Sequence, residues 1–167
     1  MMNINRYSLL QWIALLACGI WIGILIFLGS VVAPSIFKFM DSKTQAGVLN
    51  GIILHKMNIM EGICSIVLLL SSLFFLFYRK SLLQWIRMFA SLLLFANLGG
   101  YSMIIAPRMD QLKVTIQNFD TPKDQDTRPE REAFDRLHSA YSSLVTVNVV
   151  VLLTLFFLIS TAKPDEE

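Results

Sequence analysis

The residues of this sequence that are capable of chemistry are few, and most of them lie near the shared end of long apolar segments. The candidates for a binding site or polar network are His55, Asn58, Glu61, Tyr101, Arg108, Asp135, His138, Ser142 and Asn148. Ionisable side chains close to lipid hydrocarbon are costly, so they usually have a partner or a function. The pattern therefore predicts where a site lies but leaves its chemistry open.

Two of the candidates are histidines, and they raise a redox or metal-binding hypothesis. His55 and His138 are the only histidines in the chain, and one such pair on different helices could provide the axial ligands of a single haem. Glu61 or Asp135 would add an oxygen ligand to a metal site, although no dense spacing such as H-x-x-x-H supports one. The cofactor therefore stays undetermined, with haem or a transition metal as the candidates.

Arg108 supports a different hypothesis, in which it lines a polar vestibule together with the two histidines. Such a vestibule would bind or move a small solute or an ion, and an acidic partner would offset the cost of burying the arginine. The simpler alternative is that these side chains satisfy one another at the membrane interface, where Arg and Tyr are common. In a further alternative, a projecting hairpin at residues 112–141 docks a partner and makes the protein an interaction subunit.

Composition and motifs narrow the class of protein. The chain is 55% hydrophobic, which exceeds the apolar share of an ordinary soluble domain. Its mean hydropathy is +0.61. A net charge of +2 over 167 residues does not predict nucleic-acid binding. The sequence has no Gly-rich phosphate loop and no G-x-S-x-G motif, so no enzyme is predicted. The partner that composition predicts is the lipid bilayer.

Four apolar segments must position the candidate residues. We predict spans at about residues 9–33, 46–78, 83–105 and 140–160, with a polar connection at about 108–135, in one domain that covers residues 1–167. About 20 apolar residues suffice for a helix to cross a bilayer. The run after Arg6 continues without a break through Ala33, so we expect an uncleaved first span and not a signal peptide. The predicted fold is an all-α, integral membrane four-helix bundle whose helices 2, 3 and 4 extend beyond the bilayer on one side.

Glycine and proline residues predict how the spans are built. Gly19 and Gly23 form a G-x-x-x-G pair, which allows another helix to approach closely. Pro34 should bend or end the first helix, and Pro107 should kink the third. The segment Thr127–Glu130 fits a capping box at the start of the last helix.

Depth and charge predict the orientation. With a slab of about 20 residues on each helix, His55 and His138 lie at nearly the same depth, just outside the hydrocarbon, and Arg108 reaches that level from the third helix. Four spans place both termini on the other side. The basic residues there are Arg6, Arg79, Lys80, Arg87 and Lys163. The positive-inside rule then favours cytoplasmic termini, in the inner membrane if the cell is bacterial.

Several short motifs carry a resemblance to a known family. The segment Phe134–Ser143, followed by Asn148, resembles the last span of the transmembrane protein 205-like proteins, a group of small membrane proteins. Ala106-Pro107-Arg108 is similar to the Pro-Arg that ends their third span, and Ile53-Leu54-His55 is similar to the His region of their second. The resemblance covers about residues 9–159 and implies a four-helix membrane protein without implying an activity. The resemblance also implies that six residues are candidate family positions: His55, Pro107, Arg108, His138, Ser142 and Asn148.

Overall fold

The computed structural model describes residues 6–122 and 125–161. Lys163, one of the basic residues used to predict the orientation, lies outside them. The helices are α1 (Arg6–Phe27), α2 (Ala33–Phe39), α3 (Lys43–Tyr78), α4 (Leu82–Gly99), α5 (Ala106–Ile116) and α6 (Pro129–Ser160). Within these described ranges the chain contains no strand. The all-α prediction is therefore confirmed.

Four of the resulting helical units are long and apolar enough to cross a membrane. They are Tyr7–Phe39, Lys43–Tyr78, Leu82–Ile116 and Pro129–Ser160, with lengths of 33, 36, 35 and 32 residues. Each exceeds the roughly 20 residues that a hydrocarbon layer requires. The protein is a multi-pass membrane protein built as a four-helix bundle.

The packing order of the bundle is set by which helices touch. α1 packs on both α3 and α6, and α4 also packs on both α3 and α6. Helices α3 and α6 therefore face each other across a diagonal. The buried core runs along the bundle and includes Trp21, Leu68, Leu94 and Leu152.

Both predicted proline positions coincide with a change of helix type. A π-helical segment, Leu28–Val32, precedes Pro34, and another, Gly100–Ile105, precedes Pro107. In each case the residue just before the proline donates its backbone N–H to a carbonyl five residues back, from Ala33 to Leu28 and from Ala106 to Tyr101. The wider turn accommodates a ring that can donate no backbone hydrogen bond. The first helix consequently does not end at Pro34, and the helical path continues to Phe39.

The second π-helical segment also changes which face of the third span looks inward. In an unbroken α-helix, Tyr101 and Arg108 would share a face, because seven residues make nearly two turns. A π-turn holds one extra residue and rotates the following helix by about 100°. Met109 is accordingly buried beyond Tyr101, whereas Arg108 is exposed.

The glycine pair of the first span does not pack against another helix of this chain. Gly19 and Gly23 are both exposed, and a Cβ atom built on either one would meet no atom within 4 Å. The residues that α1 buries are Ala14, Ala17, Cys18, Trp21 and Leu25. The prediction of close helix approach at the glycines is therefore wrong within the described residues of the monomer, because the buried stripe of α1 lies on the opposite side of the helix.

The hairpin loop, which we define as residues 117–128, joins α5 to α6 and caps α3. Asp120 accepts hydrogen bonds from the Ser42 hydroxyl at 2.9 Å and from the Thr44 backbone N–H at 3.2 Å. Ser42 is the N-cap of α3 and accepts from the Gln45 backbone N–H. Partial desolvation would raise the pKa of Asp120, but the hydrogen bonds from Ser42 and Thr44 lower it overall.

An arginine closes the same loop at its other end. Arg128 donates to the Ile116 carbonyl at 2.9 Å and pairs with Asp126 at 2.7 Å. Hydrogen bonding to Arg128 lowers the pKa of Asp126 to about 2. Arg128, not Thr127, is the N-cap of α6, and its side chain makes no capping hydrogen bond. The predicted capping box is therefore wrong, although the helix does begin at Pro129.

Candidate functional site

Glu61 is the centre of a polar network in the core of the bundle. Its side chain is 1% exposed, although it sits on α3 within a membrane-spanning helix. The Trp21 indole N–H donates to Oε2 at 2.9 Å, and the Tyr101 hydroxyl donates to the same oxygen. Three helical units thus meet at one carboxylate oxygen.

Two asparagines extend this network away from the carboxylate. The Asn148 amide donates to the Tyr101 hydroxyl at 3.5 Å, and the Asn97 amide donates to the Asn148 oxygen at 3.0 Å. Every donor in this chain of hydrogen bonds points toward Glu61. We call Trp21, Glu61, Asn97, Tyr101 and Asn148 the core network. Aligned donors polarise one another and stabilise negative charge at the end of the chain.

A second pair of side chains lies between the core network and the hairpin. The Tyr141 hydroxyl donates to the Asn58 side-chain oxygen at 3.3 Å, across the diagonal from α6 to α3. The Tyr141 ring also packs edge-on against Tyr101, with 5.0 Å between ring centres. Asn58 is half-buried and lies one turn before Glu61. The polar side chains therefore continue from the core toward the end of the bundle that carries the hairpin.

Three predicted site residues lie on the surface and not in a shared cavity. His55, Arg108 and His138 are all exposed. The His138 ring stacks on Phe134, with 6.2 Å between ring centres. The vestibule that sequence analysis placed among these three residues is not formed: the π-helical segment turns Arg108 outward, and the histidines lie on outer faces of diagonal helices.

The remaining predicted residues have local partners. Ser142 is exposed and donates to the carbonyl of His138 in its own helix at 2.9 Å. Asp135 is half-buried and lies 3.9 Å from Arg131, one turn earlier on α6. Neither residue joins the core network. Of the nine predicted site residues, the core network contains Glu61, Tyr101 and Asn148.

The histidines do not form part of a dense ligand set. Across residues 6–122 and 125–161, no group of three or more His, Cys, Asp or Glu side chains could hold a metal ion. His55 and His138 are on α3 and α6, which face each other across the bundle diagonal. A ligand role for the pair stays a prediction.

A second buried polar cluster lies at the terminus end of the bundle, and we call it the terminus-side cluster. Arg87 is 1% exposed, and its Nη1 donates to the side-chain oxygen of the buried Gln84 at 3.1 Å. One turn further along α4, the hydroxyls of Ser91 and Ser72 lie 2.8 Å apart. Sequence analysis treated Arg87 as an interfacial cation, and the structure corrects this, because the side chain points into the core.

An apolar layer separates the two buried polar clusters. Leu68 lies midway between Glu61 and Phe75 on α3, and Leu94 lies midway between Arg87 and Tyr101 on α4; both leucines are buried. Fourteen residues of helix separate Glu61 from Phe75, which is about 21 Å. An acidic and a basic side chain thus lie at opposite ends of one core, with the buried Leu68 and Leu94 between them.

Trp21 and Asn97 are the two members of the core network that lie outside the nine predicted site residues. Tryptophan in a membrane protein usually lies at the interface, but Trp21 is in the middle of the first apolar run. A buried indole N–H needs an acceptor. The position of Trp21 was therefore a signal that a polar acceptor lies inside the bundle.

Comparison with known proteins identifies the family and gives no activity. Residues 16–118 match the model of a family described as a domain of unknown function (DUF4149). Since this is more than half of the 167 residues, the chain belongs to that family. No curated protein and no solved structure matches the chain. The matched segment holds Trp21, Glu61 and Tyr101 and ends before α6.

Proposed function

For this membrane-spanning member of the family, we propose that Glu61 binds and releases a proton in the core of the bundle. The observation that carries the proposal is that the Glu61 carboxylate is buried without a neighbouring cation among the described residues. It is 1% exposed, accepts two hydrogen bonds from neutral donors, and forms no ion pair with a described Lys or Arg. A buried carboxylate with no cation beside it is costly. Binding a proton neutralises it without any new side chain.

The donors around Glu61 favour a proton over a metal ion. Hard cations require several oxygen ligands. The indole N–H of Trp21 and the hydroxyl hydrogen of Tyr101 both point at Oε2. A cation bound at that oxygen would therefore meet two hydrogens and not the lone pairs of further ligands. The other carboxylate oxygen, Oε1, is the atom that would carry the proton.

Polar side chains mark the route by which the proton reaches Glu61. Asn58 and Tyr141 are half-buried or buried and lie between Glu61 and the hairpin end. His55 lies one turn beyond Asn58, and His138 lies one turn beyond Tyr141, both at the surface. We infer that protons enter from the hairpin end, and that the apolar layer of Leu68 and Leu94 blocks their further passage in this conformation.

Labelling with a hydrophobic carbodiimide tests this proposal. Such reagents modify protonated carboxyl groups in apolar surroundings. The protein in detergent is treated with dicyclohexylcarbodiimide over a range of pH values, and the modified residue is identified by peptide mass spectrometry. We expect one main label, at Glu61, whose rate falls as the pH rises.

The matched control is Glu132→Gln, since Glu132 is an exposed acid paired with Arg136 at 2.9 Å. This variant should be labelled like the natural protein, whereas Glu61→Gln should lose the label. No label at Glu61, or a rate that does not change with pH, would overturn the proposal.

The redox alternative is less well supported. It requires His55 and His138 to bind one haem or metal, yet both are exposed and lie on helices across the diagonal. An absorption spectrum and metal analysis of the purified protein, beside His55→Ala and His138→Ala, would establish it if a Soret band or stoichiometric metal disappeared in both variants.

We propose that residues 1–167 form one domain, that both termini are cytoplasmic, and that a bacterial host would carry the protein in its inner membrane. Arg79 and Lys80 are exposed in the turn between α3 and α4, which supports this orientation. We also propose kinship with the transmembrane protein 205-like proteins, on the motifs around Pro107 and His138.

A further inference from the structure

Arg87 is buried although it lies close to the end of its helix. It is the sixth residue of α4, which begins at Leu82, so the helix end is about 7.5 Å away. An arginine at that depth usually extends toward the headgroups. Here the side chain turns into the bundle and is 1% exposed. The charge of Arg87 is therefore held inside the bundle and not at the lipid headgroups.

The partners of the guanidinium are neutral. Nη1 donates to the Gln84 oxygen at 3.1 Å, the Phe75 ring centre lies 5.1 Å from the guanidinium carbon, and Tyr7 forms a hydrogen bond with the side chain. Nη2 is buried and has no hydrogen-bond partner within residues 6–122 and 125–161. Among the residues that the structure describes, no acidic side chain forms an ion pair with Arg87.

A permanent cation in such surroundings attracts an anion. Arginine does not lose its proton in proteins, and a buried charge without a counter-ion is among the most costly groups in a membrane protein. The cation–π contact with Phe75 offsets only part of this cost. Nη2 therefore has a donor to offer within the terminus-side cluster.

We propose that Arg87 is an anion-binding site, in which Nη2 donates a hydrogen bond to a small anionic group at the terminus end of the bundle. The chemistry fits a free inorganic anion such as chloride or phosphate, or the phosphate of an anionic lipid headgroup. The exposed Arg79 and Lys80 of the neighbouring turn raise the local concentration of either one. Basic sites between membrane helices commonly hold such groups.

Anion-dependent thermal stability tests the site, because a ligand that binds the folded state raises Tm in a saturable manner. In the first arm, detergent-purified protein is titrated with potassium chloride or phosphate, which replace gluconate at constant ionic strength. In the second arm, the protein is placed in nanodiscs of phosphatidylcholine with or without phosphatidylglycerol. A saturable rise in the first arm identifies a free anion, and a rise in the second arm alone identifies a lipid phosphate.

Variants connect the effect to Arg87. Arg87→Gln should remove the anion dependence of Tm. Arg87→Lys keeps the charge but not the planar fork, and should weaken the apparent affinity at least about tenfold; it carries the test if the glutamine variant does not fold. Arg136→Gln, which removes an exposed arginine, is the matched control and should behave as the natural protein does.

Two results would overturn the proposal. One is a Tm that depends on neither anion source in the natural protein, and the other is an unchanged anion dependence in both Arg87 variants. The site is independent of the proton at Glu61, since the apolar layer lies between them. Glu61→Gln should therefore retain the anion dependence, which separates the two proposals.

Discussion

The core network and the hairpin loop both contain a carboxylate with close hydrogen-bond donors, yet they hold it in opposite ways. In the loop, the 2% exposed side chain of Asp126 pairs with Arg128 at 2.7 Å and lies 4.0 Å from Arg131. In the core, Glu61 accepts from Trp21 and Tyr101, which carry no charge. Charged donors keep a carboxylate ionised, whereas neutral donors offset its charge only in part. Of these two carboxylates, Glu61 is the one for which we propose proton exchange.

The largest expected effect comes from removing the centre of the core network. Glu61→Ala leaves the Trp21 N–H and the Tyr101 O–H buried without an acceptor, and each such group costs about 1–3 kcal/mol. We expect the free energy of unfolding in detergent to fall by about 2–6 kcal/mol. Glu61→Gln, which keeps an acceptor oxygen, should lose roughly half as much. Equal stability of the alanine variant and the natural protein would contradict the network.

The next effect compares two tyrosine hydroxyls. Tyr101→Phe removes the link between Glu61 and Asn148, both buried, and should cost about 1–3 kcal/mol of unfolding free energy. Tyr141→Phe removes a 3.3 Å bond to the half-buried Asn58 and should cost about 0.5–1.5 kcal/mol. Thermal denaturation of both variants measures the difference. A reversed order would show that the network does not centre on Glu61.

The loop carboxylate should give a local and pH-dependent effect. Since the pKa of Asp126 is lowered to about 2, its stabilisation of the loop is fully present above the unfolded value of about 3.9 and is lost as the pH falls through about 2. Asp126→Asn should increase amide hydrogen exchange in the hairpin loop at pH 6 without changing it in the spans. Well below pH 2, where Asp126 is protonated, the variant and the natural protein should exchange alike. A difference that persists there would mean that the carboxylate charge is not what holds the loop.

The smallest effect is expected at the surface. Arg136 and Glu132 lie one turn apart on α6, at 2.9 Å, and are about 70% exposed. Exposed pairs of this kind contribute about 0–1 kcal/mol. Glu132→Gln should therefore leave Tm almost unchanged, and a loss comparable to that of Tyr101→Phe would show that burial does not separate these clusters.

Much of the fold could be predicted from the sequence, because four long apolar runs admit few other arrangements. The face of the third span that points inward could not be predicted, because a π-helical segment at Gly100–Ile105 changes the helical period. In an unbroken α-helix the seven-residue spacing would put Arg108 on the same face as Tyr101, and the extra residue in the π-turn moves it to the surface. Periodicity fails where the helix itself changes type.

The buried polar clusters could be predicted only in part. Glu61, Tyr101 and Asn148 were recognised as polar residues in apolar surroundings, but their partner Trp21 was not. Arg87 was counted as an interfacial cation because it follows the basic turn. Its spacing held a better signal, since Gln84, Arg87, Ser91 and Leu94 recur every three or four residues as one buried stripe of α4.

Infrared difference spectroscopy tests the central claim most directly, because the carbonyl stretch of a protonated carboxylic acid is separate from the bands of a carboxylate. Spectra of the protein in lipid are compared between acid and alkaline pH, for the natural chain, Glu61→Gln and Glu132→Gln. We predict a buried carboxylic-acid band that titrates with pH in the natural chain and in Glu132→Gln, and that is absent from Glu61→Gln. If no titrating band is lost in Glu61→Gln, Glu61 does not exchange a proton and the account is wrong.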